Sequence, residues 1–237
     1  MAQTWQDLLF AHWRVDEAAL RRVVPAQIPL DTYDGSAWIA VTPFVVTAMR
    51  ARLALPVPGT ARFPEINVRT YATLGGKPGI YFFSLDTPNR LAVQGARRVF
   101  RLPYFRSRIE TGRDGERIRF DSERVDYDVP GVGIDLEYEP AGRPRRADPG
   151  SFEQWAAERY CLYTLDEQQR VLRGDIHHPP WALQPAKVAL GRNTMGRQIG
   201  VDLEGEPVLH FSRRQDVLFW LNEVDRSGPR GMSSSGR

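Results

Sequence analysis

The segment Phe63-Pro64-Glu65-Ile66-Asn67-Val68-Arg69-Thr70-Tyr71 restricts this chain more than any other. Its residues alternate in character. In an extended strand Glu65, Asn67, Arg69 and Tyr71 share one face, and Ile66, Val68, Thr70 and Ala72 share the other. One face is apolar or small. The other carries an acid, an amide, a guanidinium and a phenol in a row. Two arrangements satisfy this pattern. The strand can be half-exposed, with the polar row in water and its charges loosely paired. Alternatively, the row lines the inside of a closed sheet, where it meets a ligand. Periodicity alone favours the first.

A chain of 237 residues with 42% hydrophobic and 26% charged residues can bury a substantial core. The net charge of +3 could suit nucleic acid. However, nearly all the positive charge is arginine, with Lys77 and Lys187 the only lysines, and the arginines are scattered among acids. No basic stripe interleaved with aromatics occurs, so no nucleic-acid partner is expected. One cysteine, Cys161, rules out an internal disulfide framework and points to a reducing cytoplasm. No apolar run reaches the length of a membrane span, so no membrane partner is expected. Asp7, Arg14 and Asp16 break up the N-terminal apolar residues too early for a signal peptide.

Along the chain, Asp16 is placed to cap a helix through Glu17, Leu20 and Val23 that stops before Pro25, with Leu20, Val23 and Val24 as its buried face. Asp34-Gly35 signals a turn. Ala37 to Met49 reads as one or two strands, with Pro43 marking an edge or a bulge. Pro56, Pro58 and Gly59 predict a loop, and Gly75-Gly76 a hairpin turn. Ile80 to Leu85, apolar on both faces, reads as a central strand. Asn89 or Asp86 can start a short helix over Leu91 to Phe100, ended by Pro103. Tyr104 to Tyr138 reads as several antiparallel strands, with a turn at Thr111–Gly115. Pro140 to Gly150 reads as a surface loop. Ser151 caps a helix through Trp155 with capping-box spacing to Gln154. Strands follow at Arg159–Leu165, Arg170–His177 and Pro185–Leu190. Asn193 or Thr194 can begin a short helix. Val208–Phe211 and Asp216–Asn222 suggest a last hairpin, and residues 227–237 a disordered tail. With no repeat or composition break, residues 1–226 form one mainly β domain with a few short helices. A sheet of that many strands usually curls or closes to hide its edges.

The familiar chemical signatures are missing: there is no Gly-rich phosphate loop, no nucleophile-elbow serine and no Cys-x-x-Cys pair. His177 and His178 are adjacent and would face opposite ways on a strand. A zinc site would need His12 or His210 to join one of them with a carboxylate. No metal or cofactor is expected.

Several short motifs occur in a characteristic order. Phe63-x-Glu65-x-Asn67-x-Arg69-x-Tyr71 is followed by Pro78-Gly79-Ile80-Tyr81-Phe82-Phe83-Ser84-Leu85-Asp86. Then come Ala96-Arg97, Leu102-Pro103-Tyr104, Glu158-Arg159-Tyr160 and His178-Pro179-Pro180-Trp181. From roughly Trp5 to Trp220 the series resembles an uncharacterised bacterial family, domain of unknown function 2071, grouped with acetoacetate decarboxylase-like proteins. The resemblance implies a curved, largely antiparallel sheet closing into a barrel or cone around a cavity. Acetoacetate decarboxylase uses a lysine that forms an imine, activated by a neighbouring cation. Its lysine pair follows a Gly-x-Pro segment after a short helix. The matching segment here is Arg101-Leu102-Pro103-Tyr104-Phe105, so Tyr104 and Phe105 stand at the lysine positions. Neither can form an imine, and acetoacetate decarboxylation is not expected.

With such a cavity, Tyr104 and Glu65 are the candidate catalytic residues: the phenol as donor to a carbonyl oxygen, the carboxyl as base or as a support for Arg69. Arg69 or Arg97 could clamp a carboxylate. Asn67, Tyr71, Glu158, Arg159, Tyr160 and His178 complete the candidate binding set. The competing reading is structural: buried Glu and Arg pair with each other and fix register, and Glu158 and Arg159 pin a helix to the sheet. The expected ligand is a small organic acid or carbonyl compound. The alternative is a non-catalytic scaffold with a filled or ligand-free interior. Oligomerisation is left open.

Overall fold

Strand-forming sequence dominates the chain, and the computed structural model, which describes residues 1–50, 62–126 and 131–227, shows why it holds together. Twelve strands form one sheet: β1 (Ala2–Val15), β2 (Ala37–Arg50), β3 (Arg62–Leu74), β4 (Lys77–Thr87), β5 (Tyr104–Asp114), β6 (Arg117–Arg124), β7 (Gly133–Pro140), β8 (Cys161–Leu165), β9 (Val171–His177), β10 (Gln184–Asn193), β11 (Val208–Phe219) and β12 (Glu223–Val224). Three short helices accompany them: α1 (Glu17–Val23), α2 (Arg90–Val99) and α3 (Phe152–Ala157). A 3-10 turn lies at Met195–Ile199. The strand order is β12-β9-β8-β4-β3-β2-β1-β11-β10-β7-β6-β5. Further pairings of β9 with β11 and of β4 with β5 join strands far apart in that order, so the sheet returns on itself. Most pairs are antiparallel, including the expected run β5–β6–β7, but β4 runs parallel to both β5 and β8.

Local chemistry sets most element ends. Asp16 accepts from the Ala18 amide at the start of α1, Asn89 from Leu91 and Ala92 at the start of α2, and Ser151 from Gln154 at the start of α3. The capping box of α3 is displaced by one residue, because the Gln154 side chain accepts from the Gly150 amide rather than from Ser151. Gly75 and Gly76 both take positive φ in the two-residue turn between Leu74 and Lys77. In α1, Leu20 and Val24 are buried, but Val23 is exposed, contrary to expectation.

Three further differences have physical causes. Residues Ala2–Val15 carry no clean alternation, yet they form a long strand. Between Gln6 and Ala11, β1 advances five residues against four of β2, and Asp7 takes a positive φ. That bulge scrambles the period. Pro43 lies opposite it, where a missing N–H breaks no regular rung, so the bulge reading of Pro43 holds. The last hairpin does not exist. β11 is a single strand that pairs with β1 from Leu218↔Ala2 to Val208↔His12. The intervening Ser212-Arg213-Arg214-Gln215 contains no turn residue, and Ser212 and Gln215 are buried. The expected loop at Pro56, Pro58 and Gly59, and the tail beyond Ser227, lie outside the described residues.

The wing of β6 and β7 covers one side of β1–β3. Ile66 and Val68 of β3 pack there with Leu9, Ile39, Phe120, Ile134 and Leu136. The opposite face of β3 meets a second cluster containing Tyr71, Phe82, Leu85, Val93, Leu102 and Tyr104. β3 is thus paired on both edges and covered on both faces. A buried ion pair ties the wing to the centre. Asp86 of β4 accepts two hydrogen bonds from Arg124 of β6, at 2.8 and 2.9 Å, and one from Ser107 of β5 at 2.8 Å. Both charged side chains are only 1% exposed. Truncating one partner strands the other charge in the interior. Arg124→Ala is expected to destabilise the protein by about 3–5 kcal/mol in urea unfolding. The double replacement Asp86→Leu with Arg124→Met should recover most of that loss.

Candidate functional site

The polar row of β3 faces inward. Glu65, Asn67 and Arg69 are buried side by side along one wall of a cavity of about 210 Å³. Tyr104, the first residue of β5, reaches the same wall because β5 runs parallel to β4 with Tyr104 level with Leu85. Its hydroxyl donates to Glu65 Oε2 at 3.1 Å. Burial, reinforced by the nearby Asp86 charge, raises the Glu65 pKa to about 8, although the Tyr104 hydrogen bond pulls the other way. At neutral pH Glu65 is therefore an un-ionised carboxyl group. Burial and the adjacent Glu65 push the Tyr104 phenol well above its ordinary value, so it stays protonated.

Arg69 carries the charge of the site. Burial lowers its pKa, the neighbouring Tyr71 hydroxyl acts the other way and Arg159 nearby adds to the lowering, but a guanidinium remains charged. The buried ion pairs of this region are Arg124 with Asp86 and Arg159 with Asp31. Arg69 belongs to none among the described residues. Its guanidinium lies over the Phe10 ring at 5.2 Å, and its Nε has no hydrogen-bond partner. The Asn67 Oδ1 is likewise unpartnered. The Glu65–Arg69 pairing of the competing structural reading is thus not made among the described residues. A cation, a neutral acid and an amide instead line the same space.

The remaining wall is mostly apolar, with Gln3 and Asp175 as its further polar residues. Phe82 and Leu85 of β4 both reach the cavity, although they are three residues apart. The register explains this: Val68 pairs with Ser84 but Arg69 with Phe82, leaving Phe83 as a bulge that resets the alternation. Gly174 also lines the cavity. A Cβ there would come within 2.2 Å of Asn222 Oδ1, so a larger residue would displace the Asn222 side chain, which donates to the Phe100 carbonyl at the end of α2. On α2, Leu91, Ala92, Gly95, Ala96 and Val99 fall on one helical stripe along the cavity. These residues were not among the sequence candidates. Their i, i+4, i+8 spacing was the available signal, but nothing in the sequence says that the stripe faces a space.

The other candidates lie elsewhere. Tyr71 is fully buried beyond the cavity, its hydroxyl 2.7 Å from His12 Nε2. Arg159 sits over Tyr71 and Trp155 and bonds Asp31 at 2.6 Å. Arg97 points outward, yet its Nε donates to the Tyr104 carbonyl while Nη2 holds Asp126, so it braces the Tyr104 backbone. Glu158 accepts from the Trp181 amide and from the Tyr160 hydroxyl. His178 stacks on Tyr160 at 4.6 Å. Phe105 packs under the Arg124 guanidinium at 3.8 Å. His12 and His210 approach each other, their rings 6.2 Å apart, and His210 faces Glu153; His178 is not with them. Among the described residues no group of three or more His, Cys, Asp or Glu side chains is placed to hold a metal, and no helix is long and apolar enough to cross a membrane.

A mainly β sheet with few helices, returning on itself beside a cavity entered by the polar row of β3, is the acetoacetate decarboxylase-like fold. Solved structures share it. The enduracididine biosynthesis enzyme MppR, complexed with the condensation product of pyruvate and imidazole 4-carboxaldehyde, gives a TM-score of 0.64 at 14% identity, covering 94% of this chain and 88% of that one. Acetoacetate decarboxylase from Legionella pneumophila gives 0.61 at 10% identity, covering 94% and 86%. An acetoacetate decarboxylase-like enzyme from Sphingomonas wittichii gives 0.58 at 14% identity, covering 97% and 93%. The chain belongs to the domain of unknown function 2071 family, described as "Uncharacterized conserved protein", whose family model matches residues 2–216. The uncharacterised protein YqjF of Bacillus subtilis is 46% identical over 221 residues, 93% of this chain and 90% of that protein.

The protonation states of the site set how stability depends on pH. Glu65 ionises near 4.5 when unfolded but near 8 when folded, so the folded state holds the extra proton between these values. Its contribution is complete below about 4.5 and is lost as pH rises through 8. Burial and the Arg69 charge lower the His12 pKa well below 6.5, so His12 acts oppositely and costs stability as pH falls below 6.5. Glu65 therefore dominates this pair above 6.5. The melting temperature is expected to drop between pH 6.5 and 8.5, and Glu65→Gln should flatten that slope. An unchanged slope in Glu65→Gln would mean that the carboxyl is already ionised at neutral pH.

Proposed function

We propose that residues 1–226 act as one cytoplasmic domain whose sheet closes as a barrel or cone around this cavity, and that the cavity binds a small organic acid or carbonyl compound. The observation that carries the reading is Arg69: a buried guanidinium on the cavity wall with no acidic partner among the described residues and an unsatisfied Nε. A buried cation left in this state is costly unless an anion completes it. A carboxylate does so, accepting from the guanidinium in the forked geometry that arginine favours. Asn67 offers a further polar contact to the same group.

The Glu65–Tyr104 pair then serves a carbonyl or hydroxyl group on the ligand. Un-ionised Glu65 can donate its proton, with Tyr104 holding the carboxyl by its 3.1 Å hydrogen bond. Near pH 8 the same group becomes able to accept a proton, which suits acid–base work on an acidic C–H or a carbonyl. Arg97 positions Tyr104 through its carbonyl. The chemistry does not pass through an imine. The only lysines are Lys77, which pairs with Asp175 at 2.8 Å, and the exposed Lys187; neither lines the cavity. MppR complexes with pyruvate and with a pyruvate condensation product support a carbonyl-bearing ligand for this fold.

A thermal-shift screen of keto acids, hydroxy acids and simple carboxylates at pH 7 tests this. A stabilising acid should lose its effect in Arg69→Gln, with affinity falling by roughly thirtyfold or more, as for loss of about 2 kcal/mol in a buried charge contact. Because ionisation of Glu65 places a negative charge beside the ligand, binding should weaken as pH rises through about 8 and should not weaken in Glu65→Gln. Binding without turnover would assign the protein as a carrier. A ligand whose affinity ignores Arg69→Gln would overturn the site.

A further inference from the structure

We propose that the ligand is a monocarboxylic acid with an extended apolar body, of the size of octanoate rather than pyruvate. Its carboxylate would meet Arg69 and its chain would run beneath α2 towards Trp220. This inference rests on the carboxylate reading of Arg69 and narrows it.

Most of the polar groups lie along one wall of the cavity. Glu65, Asn67 and Arg69 come from β3, and Tyr104 lies against Glu65. Arg69 and Asn67, respectively 7% and 4% exposed, each leave a polar atom without a partner. The rest of the lining is mostly aromatic and aliphatic, with Phe63, Phe82, Leu102, Leu162 and Phe219 among it and Gln3 and Asp175 as further polar residues. A short keto acid would satisfy the polar wall and leave most of this apolar lining unused. An apolar chain fills it and gains by leaving water.

α2 is built for such an occupant. Leu91 and Val99 line the cavity and are nevertheless 59% and 54% exposed, and Trp220 across the mouth is 46% exposed. Between them stands Gly95, in the middle of a helix, where glycine costs about 1 kcal/mol relative to alanine. A Cβ at Gly95 would meet nothing within 4 Å, so neither packing nor backbone geometry requires the glycine. The open strip along Leu91, Gly95 and Val99 continues the apolar wall outward from the buried head-group site. Near the mouth Lys77 is engaged with Asp175, Arg173 with Asp175 and Asp225, and the Met1 ammonium donates to the Phe219 carbonyl. A second carboxylate at the far end of the chain would have to compete for these engaged cations and would lie near the Asp175 carboxylate, which lines the cavity. This selects a monoacid over a diacid.

Calorimetric titration of the full chain at pH 7 with butanoate, hexanoate, octanoate, suberate and octan-1-ol tests the proposal. Affinity should rise by about fourfold per methylene while the chain is enclosed, the factor that corresponds to about 0.8 kcal/mol per buried CH₂. Suberate should bind about tenfold more weakly than octanoate, having lost at least the burial of its chain end. Gly95→Leu, which occupies the strip at an exposed helical position, should weaken octanoate several-fold more than butanoate. If butanoate and octanoate bind within about twofold of each other, against the scale set by chain burial, and both are lost in Arg69→Gln, the extended body is wrong and the carboxylate site stands. If octan-1-ol matches octanoate and Arg69→Gln changes neither, the carboxylate site itself fails. Absence of binding by every acid overturns both.

Discussion

A guanidinium and a carboxyl group buried on the same strand, without pairing, are the constraint around which this structure is arranged. β3 has partners on both edges and cover on both faces, so Glu65 and Arg69 cannot turn to water. Two buried groups of opposite charge would ordinarily neutralise each other directly. Here Glu65 is neutralised by keeping its proton, and Tyr104 satisfies it. Arg69 keeps its charge against the Phe10 face. The cost of holding a buried cation without an acidic partner has to be met by the rest of the fold, and a bound anion would offset it.

The Asp86–Arg124 pair shows how the fold sustains this. It joins β4 to β6, and Arg124 also reaches Gln198, which in turn donates to Ser84. The wing that covers the apolar face of β3 is thereby fastened to the strand beside it. The same Asp86 charge helps to keep Glu65 protonated. A structural ion pair and the acid–base state of the cavity are therefore linked, and damage to the first should alter the second.

Comparison with the shared fold sharpens the role of position 104. The resemblance sets Tyr104 and Phe105 where an imine-forming enzyme carries lysines. In the structure the two side chains diverge: Tyr104 enters the cavity to meet Glu65, while Phe105 supports Arg124. Likeness of fold at 10–14% identity carries the fold and not a reaction.

Much of the local structure was legible in the sequence, because it follows from interactions between near neighbours. The caps at Asp16, Asn89 and Ser151, the turn at Gly75-Gly76 and the alternation of Glu65, Asn67, Arg69 and Tyr71 depend on side-chain types a few residues apart. The long strands β1 and β11 were obscured where bulges or buried polar residues such as Ser212 and Gln215 broke the period. Of the candidate site, the sequence alone determined the polar row and the side-chain types at positions 104 and 105. Tertiary structure decided the rest. It turned the row inward by covering both faces of β3, brought Phe82 and Leu85 onto one wall through the bulge at Phe83, and set Arg97, Tyr71 and Arg159 outside the cavity. It also laid α2 along the space. These outcomes depend on contacts between residues far apart in the chain, and no periodicity within a single segment encodes them.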